Sequence, residues 1–215
     1  MKWIKIACIV LLTYVTIAGF LFEVPELPIL NESIRVMFFH VPMWFTMIFL
    51  LFISTLNAYY FISKGTINYD LKSREYASVG IFFGILGILS GMIWAKFTWG
   101  AYWTNDPKLN GSALSLLIYF SYFVLRGSIR DQIKKAKISS VYNIFAFAML
   151  IPLLFILPRM TDSLHPGNGG NPGFNVYDMN SQLRIVFYPA VIGFILLGIW
   201  ITKLRLRLRL LNFTN

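Results

Sequence analysis

Six long apolar stretches constrain the fold of this chain more than any other feature of its sequence. A helix needs about 20 residues, with a working range of about 17 to 25, to cross the hydrocarbon core of a membrane. Stretches of that length cover approximately residues 6–22, 42–62, 76–95, 109–125, 138–158 and 185–201. Only 13% of the residues are charged, whereas soluble domains contain about a quarter. The sequence therefore predicts an all-α, polytopic membrane protein with six transmembrane helices, forming one domain over residues 1–215.

The first apolar stretch has the position of a signal peptide, because Lys2 and Lys5 precede it. It ends in GFLFE, however, without a small-x-small cleavage site, so we predict an uncleaved helix. This stretch also contains Cys8, the only cysteine of the chain. The sequence therefore has no CxxC redox pair and no CxxCH haem-attachment motif, which excludes a c-type cytochrome.

The distribution of Lys and Arg predicts the orientation of the helices. If both termini are cytoplasmic, 14 of the 19 basic residues lie on the cytoplasmic side, which includes loops 63–75 and 126–137. The outer side then contains loops 23–41, 96–108 and 159–184 and only five basic residues. The positive-inside rule favours this orientation. The basic tail KLRLRLRL fits contact with anionic lipid more simply than it fits a nucleic-acid site.

The first outer loop predicts a short helix in the membrane interface. Asn31 suits a helix cap. Apolar residues follow it at helical spacing: Ile34, Met37, Phe38 and Val41. Pro42 suits the first turn of the second membrane helix, where its missing N–H is not needed.

The third apolar stretch contains a glycine stripe, Gly80, Gly84, Gly87 and Gly91, on one helical face. Small residues of this kind usually let two membrane helices approach closely. A groove for a planar ligand is the alternative interpretation. The spacing of the glycines favours close helix contact.

An aromatic cluster follows the glycine stripe, in the sequence WAKFTWGAYWTNDPKL over residues 94–109. Three of the six tryptophans, Trp94, Trp99 and Trp103, fall within ten residues there. Tryptophan and tyrosine collect at membrane interfaces as anchoring belts, but converging rings also line ligand pockets. Composition and position leave both interpretations open.

The chain has two histidines, His40 and His165, and both lie on the predicted outer side. Histidines at a protein surface commonly have no ligand, so this coincidence has little weight by itself. His40 precedes Pro42 at the outer mouth of the helix bundle. His165 lies in the last outer loop, before a run rich in glycine and proline.

Three motifs together resemble the haem exporter protein C family of cytochrome c maturation (CcmC): WGAYWTNDPKL, HVPMWF and SLHPG. More distantly, they resemble the larger CcsA-type cytochrome c synthases, which have the same tryptophan-rich loop. The family loop reads approximately WGxWWxWDxRL, and five positions match it: Trp99, Gly100, Trp103, Asp106 and Leu109. Lys108 keeps the charge of the family arginine. Tyr102 and Asn105 replace family tryptophans, and Pro166 replaces a glutamine after His165.

The resemblance implies a carrier that binds haem b at the outer face of the bacterial inner membrane. It implies that His40 and His165 are the axial ligands of the haem iron. The other residues of the implied haem site are Trp99, Gly100, Tyr102, Trp103, Asp106 and Lys108. The implied recipient is a periplasmic haem chaperone similar to CcmE. Further membrane subunits similar to CcmA, CcmB and CcmD are implied partners, and no catalytic residue is expected.

Other functional classes fit the sequence less well. A b-type electron-transfer subunit is expected to place haem ligands within its membrane helices, and no histidine lies in the core of a predicted segment. A permease is expected to have ionisable residues within its membrane segments, and the predicted segments lack Asp, Glu, Lys and Arg between their end charges. A synthase component would need the extra helices and histidines of the larger relatives. The carrier interpretation is therefore favoured.

Overall fold

The computed structural model describes residues 2–26, 29–165 and 179–214, and every regular element within these ranges is helical. The α-helices are α1 (Lys2–Leu21), α2 (Met37–Lys64), α3 (Ile67–Trp99), α4 (Pro107–Ser128), α5 (Gln132–Ile151), α6 (Leu157–Met160) and α7 (Ser181–Thr214). A π-helical turn, Pro152–Ile156, joins α5 to α6. Six helical spans of this part of the chain are long and apolar enough to cross a membrane. The predicted fold class and the six predicted helices are confirmed.

The helices extend beyond the apolar stretches that predicted them. The predicted third segment begins at residue 76, whereas α3 begins at Ile67, and α7 continues to Thr214 rather than ending near residue 201. A hydropathy pattern ends at the first charged residues, whereas a helix continues as long as its backbone hydrogen bonds do. The predicted boundaries therefore underestimate the helix lengths.

The start of α2 also differs from the prediction. A 3-10 helix, Asn31–Val36, runs directly into α2, so the predicted short helix is continuous with the membrane helix. Pro42 consequently lies inside α2, in its second turn. The proline removes one backbone hydrogen bond there. The continuous helix places His40 on a helical backbone rather than on a loop.

The glycine stripe of α3 packs against α2. A methyl group added at Gly84 would lie 2.5 Å from the sulfur of Met47, and one added at Gly87 would lie 2.9 Å from the ring of Trp44. These separations are too short for any carbon atom. The close-contact interpretation is confirmed, and α2 and α3 form the tightly packed pair that positions the outer end of the bundle.

Polar contacts join the helices at the other end of the bundle. Arg126 near the end of α4 donates two hydrogen bonds to Asp70 in the first turn of α3, at 2.7 and 2.5 Å. Both side chains are nearly inaccessible. Deeper in the bundle, the Asn143 amide donates to the hydroxyls of Ser54 and Ser73. These contacts fix α3 relative to its neighbours.

Candidate functional site

Asp106 connects two outer loops and the start of α4. Its Oδ1 accepts hydrogen bonds from the backbone N–H groups of Lys108 and Leu109, at 2.9 and 3.3 Å, and so caps α4. Its Oδ2 accepts from the Ser163 hydroxyl at 2.9 Å and from the Leu164 N–H at 2.7 Å. One buried carboxylate thus holds the 161–165 segment against the loop that follows α3.

The same carboxylate orients His165. Nδ1 of His165 lies 2.9 Å from Oδ1 of Asp106, and Trp99 packs edge-on against the imidazole with ring centroids 4.8 Å apart. Because an ionised carboxylate can only accept a hydrogen bond, Nδ1 must carry the proton. The lone pair of a neutral His165 is then on Nε2, as in imidazoles that bind metals.

The charge on Asp106 is stable at neutral pH. Burial raises the pKa of Asp106, but the hydrogen bonds from His165, Leu164 and Ser163 lower it further, so that it lies well below its usual range. A carboxyl group whose pKa is lower in the folded than in the unfolded protein stabilises the fold. This stabilisation is complete above about pH 4 and is lost as the pH falls through the folded pKa. The acceptor for His165 is therefore present throughout the physiological range.

His40 has its Nδ1 beside a different partner. Its Nδ1 lies 3.0 Å from the hydroxyl oxygen of Ser90 on α3. That hydroxyl oxygen also lies 2.8 and 3.0 Å from the carbonyls of Leu86 and Gly87, and when it donates its proton to one of them it can accept from Nδ1–H of His40. The His40 ring lies between the edges of Trp44 and Trp94, with centroids 6.5 and 5.8 Å away. Its Nε2 is then the nitrogen with the lone pair.

The two imidazoles are close enough for a charge on His165 to affect His40. They come from different parts of the chain, one from α2 and one from the last outer loop. Each has Nδ1 within hydrogen-bond distance of a polar side chain, and Nε2 has no such partner among the contacts of the described residues given above. Two imidazoles match the number of axial ligands that haem iron takes from a protein, whereas a structural zinc ion takes four protein ligands.

The predicted aromatic site residues divide into two groups. Trp99 is partly buried beside His165, whereas Tyr102 and Trp103 are 56% and 41% exposed. Gly100 ends α3 with a φ of 79°, a left-handed conformation that other residues adopt at a cost of about 1 kcal/mol or more. Gly100 therefore shapes the loop, and Tyr102 and Trp103 expose ring area on it.

Three of the five outer cations have contacts away from the histidines. Arg35 donates to two backbone carbonyls at the end of α1, and Arg184 donates to the carbonyl just before α7. The Lys96 ammonium donates to the Gly100 carbonyl, at 2.9 Å. These contacts support the local backbone.

Among the five outer cations, Lys108 is the best candidate for contact with an acidic group of a ligand. It lies within electrostatic range of His40, Asp106 and Arg159. The sequence alone did not rank the outer cations, because their distances from the histidines depend on how the loops fold. Ser90 and Ser163 were not predicted as part of the site, although Ser90 is a polar residue within the apolar stretch of α3. Pro166 and the glycine-rich run after it lie outside the described residues.

Comparison with known proteins agrees with the three motifs. The sequence model of the family Heme exporter protein C (CcmC) matches residues 1–214. The chain belongs to this family. The resemblance to CcmC proteins inferred from the motifs is confirmed.

Individual CcmC relatives are distant. The chain is 24% identical over 205 residues to the Heme exporter protein C of Escherichia coli strain K12, which covers 95% of this chain and 81% of the relative. The match to the Heme exporter protein C of Haemophilus influenzae is 24% over 136 residues, 63% of this chain and 54% of the relative. The chain thus spans about half the length of that relative. A shorter match, 36% over 77 residues, is to the cytochrome c biogenesis protein CcsA of Gossypium barbadense, over 33% of this chain and 24% of the relative.

Proposed function

We propose that this protein binds haem between His40 and His165 and transfers it to a haem chaperone during c-type cytochrome biogenesis. The observation that supports this most directly is that Nδ1 of each imidazole has a polar side chain beside it. Nδ1 of His165 lies 2.9 Å from Asp106 and Nδ1 of His40 lies 3.0 Å from Ser90, and in the proposed arrangement Nε2 of each ring binds the iron. Hydrogen bonds of this kind make an imidazole a stronger ligand and fix its plane.

The other predicted site residues receive different roles in this proposal. Tyr102 and Trp103 contact the porphyrin through their exposed rings, since burial of apolar surface stabilises binding by about 25 cal/mol per Å². Lys108 pairs with a haem propionate. Trp99 and Asp106 act through His165, because the structure places both beside that imidazole. Gly100 acts through the shape of the loop.

The proposed ligand is haem b, and the proposed chemistry is transfer without a change in its bonds, so the protein is a carrier and not an enzyme. The family name and the names of the relatives, which refer to haem export and to cytochrome c biogenesis, support this role. In the proposed arrangement the protein lies in the bacterial inner membrane with both termini in the cytoplasm and the haem site facing the periplasm. The recipient is a CcmE-like chaperone, and CcmA-, CcmB- and CcmD-like subunits are partners.

Visible spectroscopy of histidine variants tests the axial ligands. Purified protein loaded with hemin is expected to show a low-spin spectrum, and His40→Ala and His165→Ala are each expected to convert it to a high-spin spectrum. Added imidazole should restore the low-spin form in each variant, because it occupies the vacated position on the iron. This rescue distinguishes the loss of a ligand from misfolding.

Two outcomes would contradict the proposal in different ways. A low-spin spectrum that persists in both single variants would exclude these histidines as the axial pair. Folded wild-type protein that fails to take up hemin would exclude the haem function itself.

A second prediction concerns Gly91, which lies against the His40 ring. A methyl group added at this position would lie 2.7 Å from Cε1 of His40, so the imidazole must move in Gly91→Ala. We expect the dissociation constant for hemin to rise by on the order of tenfold, as it does when support for a metal ligand is lost. Gly127→Ala is the matched control, since an added methyl group there meets nothing within 4 Å. Equal hemin affinities of the two variants would contradict the placement of His40.

A further inference from the structure

A buried glutamate at the end of the bundle away from the histidines gathers three arginines. Glu75 is 1% exposed, and its carboxylate accepts hydrogen bonds from Arg74 at 3.2 Å, from Arg205 at 2.8 Å and from Arg209 at 2.7 Å. Glu75 and Arg74 belong to α3, whereas Arg205 and Arg209 lie one turn apart on α7. We refer to Arg74, Arg205 and Arg209 as the arginine cluster.

The arginine cluster has more positive charge than Glu75 can balance. Three guanidinium groups around one carboxylate leave a net charge of two positive units. The arginine side chains remain 32%, 44% and 32% exposed, respectively. Each guanidinium has five N–H donors, and its bond to Glu75 uses one of them. The cluster is therefore a prearranged group of donors suited to an additional anion.

The depth of the arginine cluster places it beside lipid headgroups. The helical span of α7, Ser181–Leu211, has 31 residues and is about 46 Å long at 1.5 Å per residue, whereas the hydrocarbon core is about 30 Å thick and the apolar stretch of this helix ends near residue 201. The last turns of α7 therefore extend beyond the core. Trp200, with Lys5 5.2 Å from the centre of its ring, lies on α7 just before the cluster and marks the interface.

A row of exposed leucines runs along α7 next to the arginines. Leu204, Leu208 and Leu211 are 41%, 63% and 60% exposed, and their spacing puts them on one side of the helix. At the boundary between headgroups and acyl chains, apolar side chains on a helix turn toward the acyl chains. A ligand for this surface therefore combines an anionic group with a hydrocarbon chain, which distinguishes it from a soluble phosphate.

We propose that the arginine cluster is a binding site for the phosphate group of an anionic phospholipid, whose acyl chain packs along the leucine row. Guanidinium groups bind phosphate oxygens through paired hydrogen bonds, and basic pockets between membrane helices bind acidic headgroups. Glu75 holds the three guanidinium groups together and reduces their mutual repulsion. The site lies on α3 and α7, away from His40 and His165, and it does not depend on the proposed haem function.

A lipid titration of the purified full-length protein tests this site. The protein in neutral detergent is titrated with phosphatidylglycerol or phosphatidylcholine, and bound lipid is counted by native mass spectrometry. We expect saturable binding with a clear preference for phosphatidylglycerol. In Arg205→Gln/Arg209→Gln this preference should fall by on the order of tenfold, because each basic residue contributes to the attraction of an acidic headgroup.

The matched control is Lys134→Gln/Lys137→Gln, which removes two exposed positive charges from the start of α5. It should leave the preference unchanged, and equal losses in the two double variants would overturn the proposal in favour of diffuse surface attraction.

Glycerol phosphate, which has the headgroup phosphate without chains, should not compete, and competition at similar concentrations would mean a soluble-anion site instead. Arg205→Lys/Arg209→Lys keeps the charge but not the paired hydrogen bonds, so it should give an intermediate loss even if the glutamine variant does not fold. An unaltered preference in this folded variant would also overturn the proposal.

Discussion

Asp106→Asn is expected to weaken hemin binding by about 10- to 100-fold while the protein stays folded. The range is that found when a group that orients a metal ligand is changed. The amide keeps the shape of the carboxylate, but it has no negative charge and it replaces one acceptor with an NH2 donor. The hydrogen bond that fixes His165 is consequently weakened. Hemin titration followed in the Soret band measures the change.

Asp162→Asn provides the control for this prediction, because Asp162 is an exposed acid only three residues from His165. It should bind hemin as the wild type does. The midpoint potential of bound haem gives a second measurement, since loss of the carboxylate makes the His165 imidazole a weaker donor to iron and should raise the potential. If Asp106→Asn has the same midpoint potential and the same hemin affinity as Asp162→Asn, Asp106 does not act on the iron through His165.

Arg126→Leu is expected to lower the free energy of unfolding by about 3 to 5 kcal/mol, because it leaves the Asp70 carboxylate buried without its partner. The wild-type pair has two short hydrogen bonds, and its side chains are 9% and 4% exposed. Unfolding followed by circular dichroism, as SDS is added to protein in mild detergent micelles, measures the loss. The affinity for hemin should change little in the fraction that remains folded, since the pair lies far from the histidines.

The double variant Asp70→Asn/Arg126→Leu separates the pair from its parts. Removing both charges should recover much of the stability lost in Arg126→Leu, because the desolvated charge is then absent. If the double variant is as unstable as Arg126→Leu alone, the cost comes from packing around the Arg126 side chain and not from the unpaired carboxylate.

Hydropathy was sufficient to predict the six spans of this protein, because crossing a membrane imposes a length and a composition on each helix. It did not predict the continuation of α3 back to Ile67 or of α7 to Thr214. Those extensions are rich in charge, and they are helical because their charges pair across the bundle, as in Asp70 with Arg126 and Glu75 with its arginines. Pairing of this kind joins residues far apart in sequence and leaves no periodic pattern.

The sequence predicted which residues form the candidate site but not which of them contact each other. The motifs indicated His40, His165 and Asp106 together, and the structure adds that Asp106 acts on His165 while Ser90 acts on His40. Ser90 is separated from His40 by 50 positions, so only the packing of α3 on α2 brings the two together. The basic tail was interpreted as a contact for anionic lipid. The structure shows that two of its arginines are organised by Glu75, which no sequence pattern indicated.

The backbones that carry the two imidazoles are of different kinds. His40 lies within α2, so moving its backbone would require breaking hydrogen bonds of a membrane-spanning helix. His165 lies in a non-helical segment whose links to α4 pass through the side chain of Asp106. Departure of a bound porphyrin would therefore begin with loss of the iron bond on the His165 side, and a recipient protein that approaches from that side would meet the first coordination position to open.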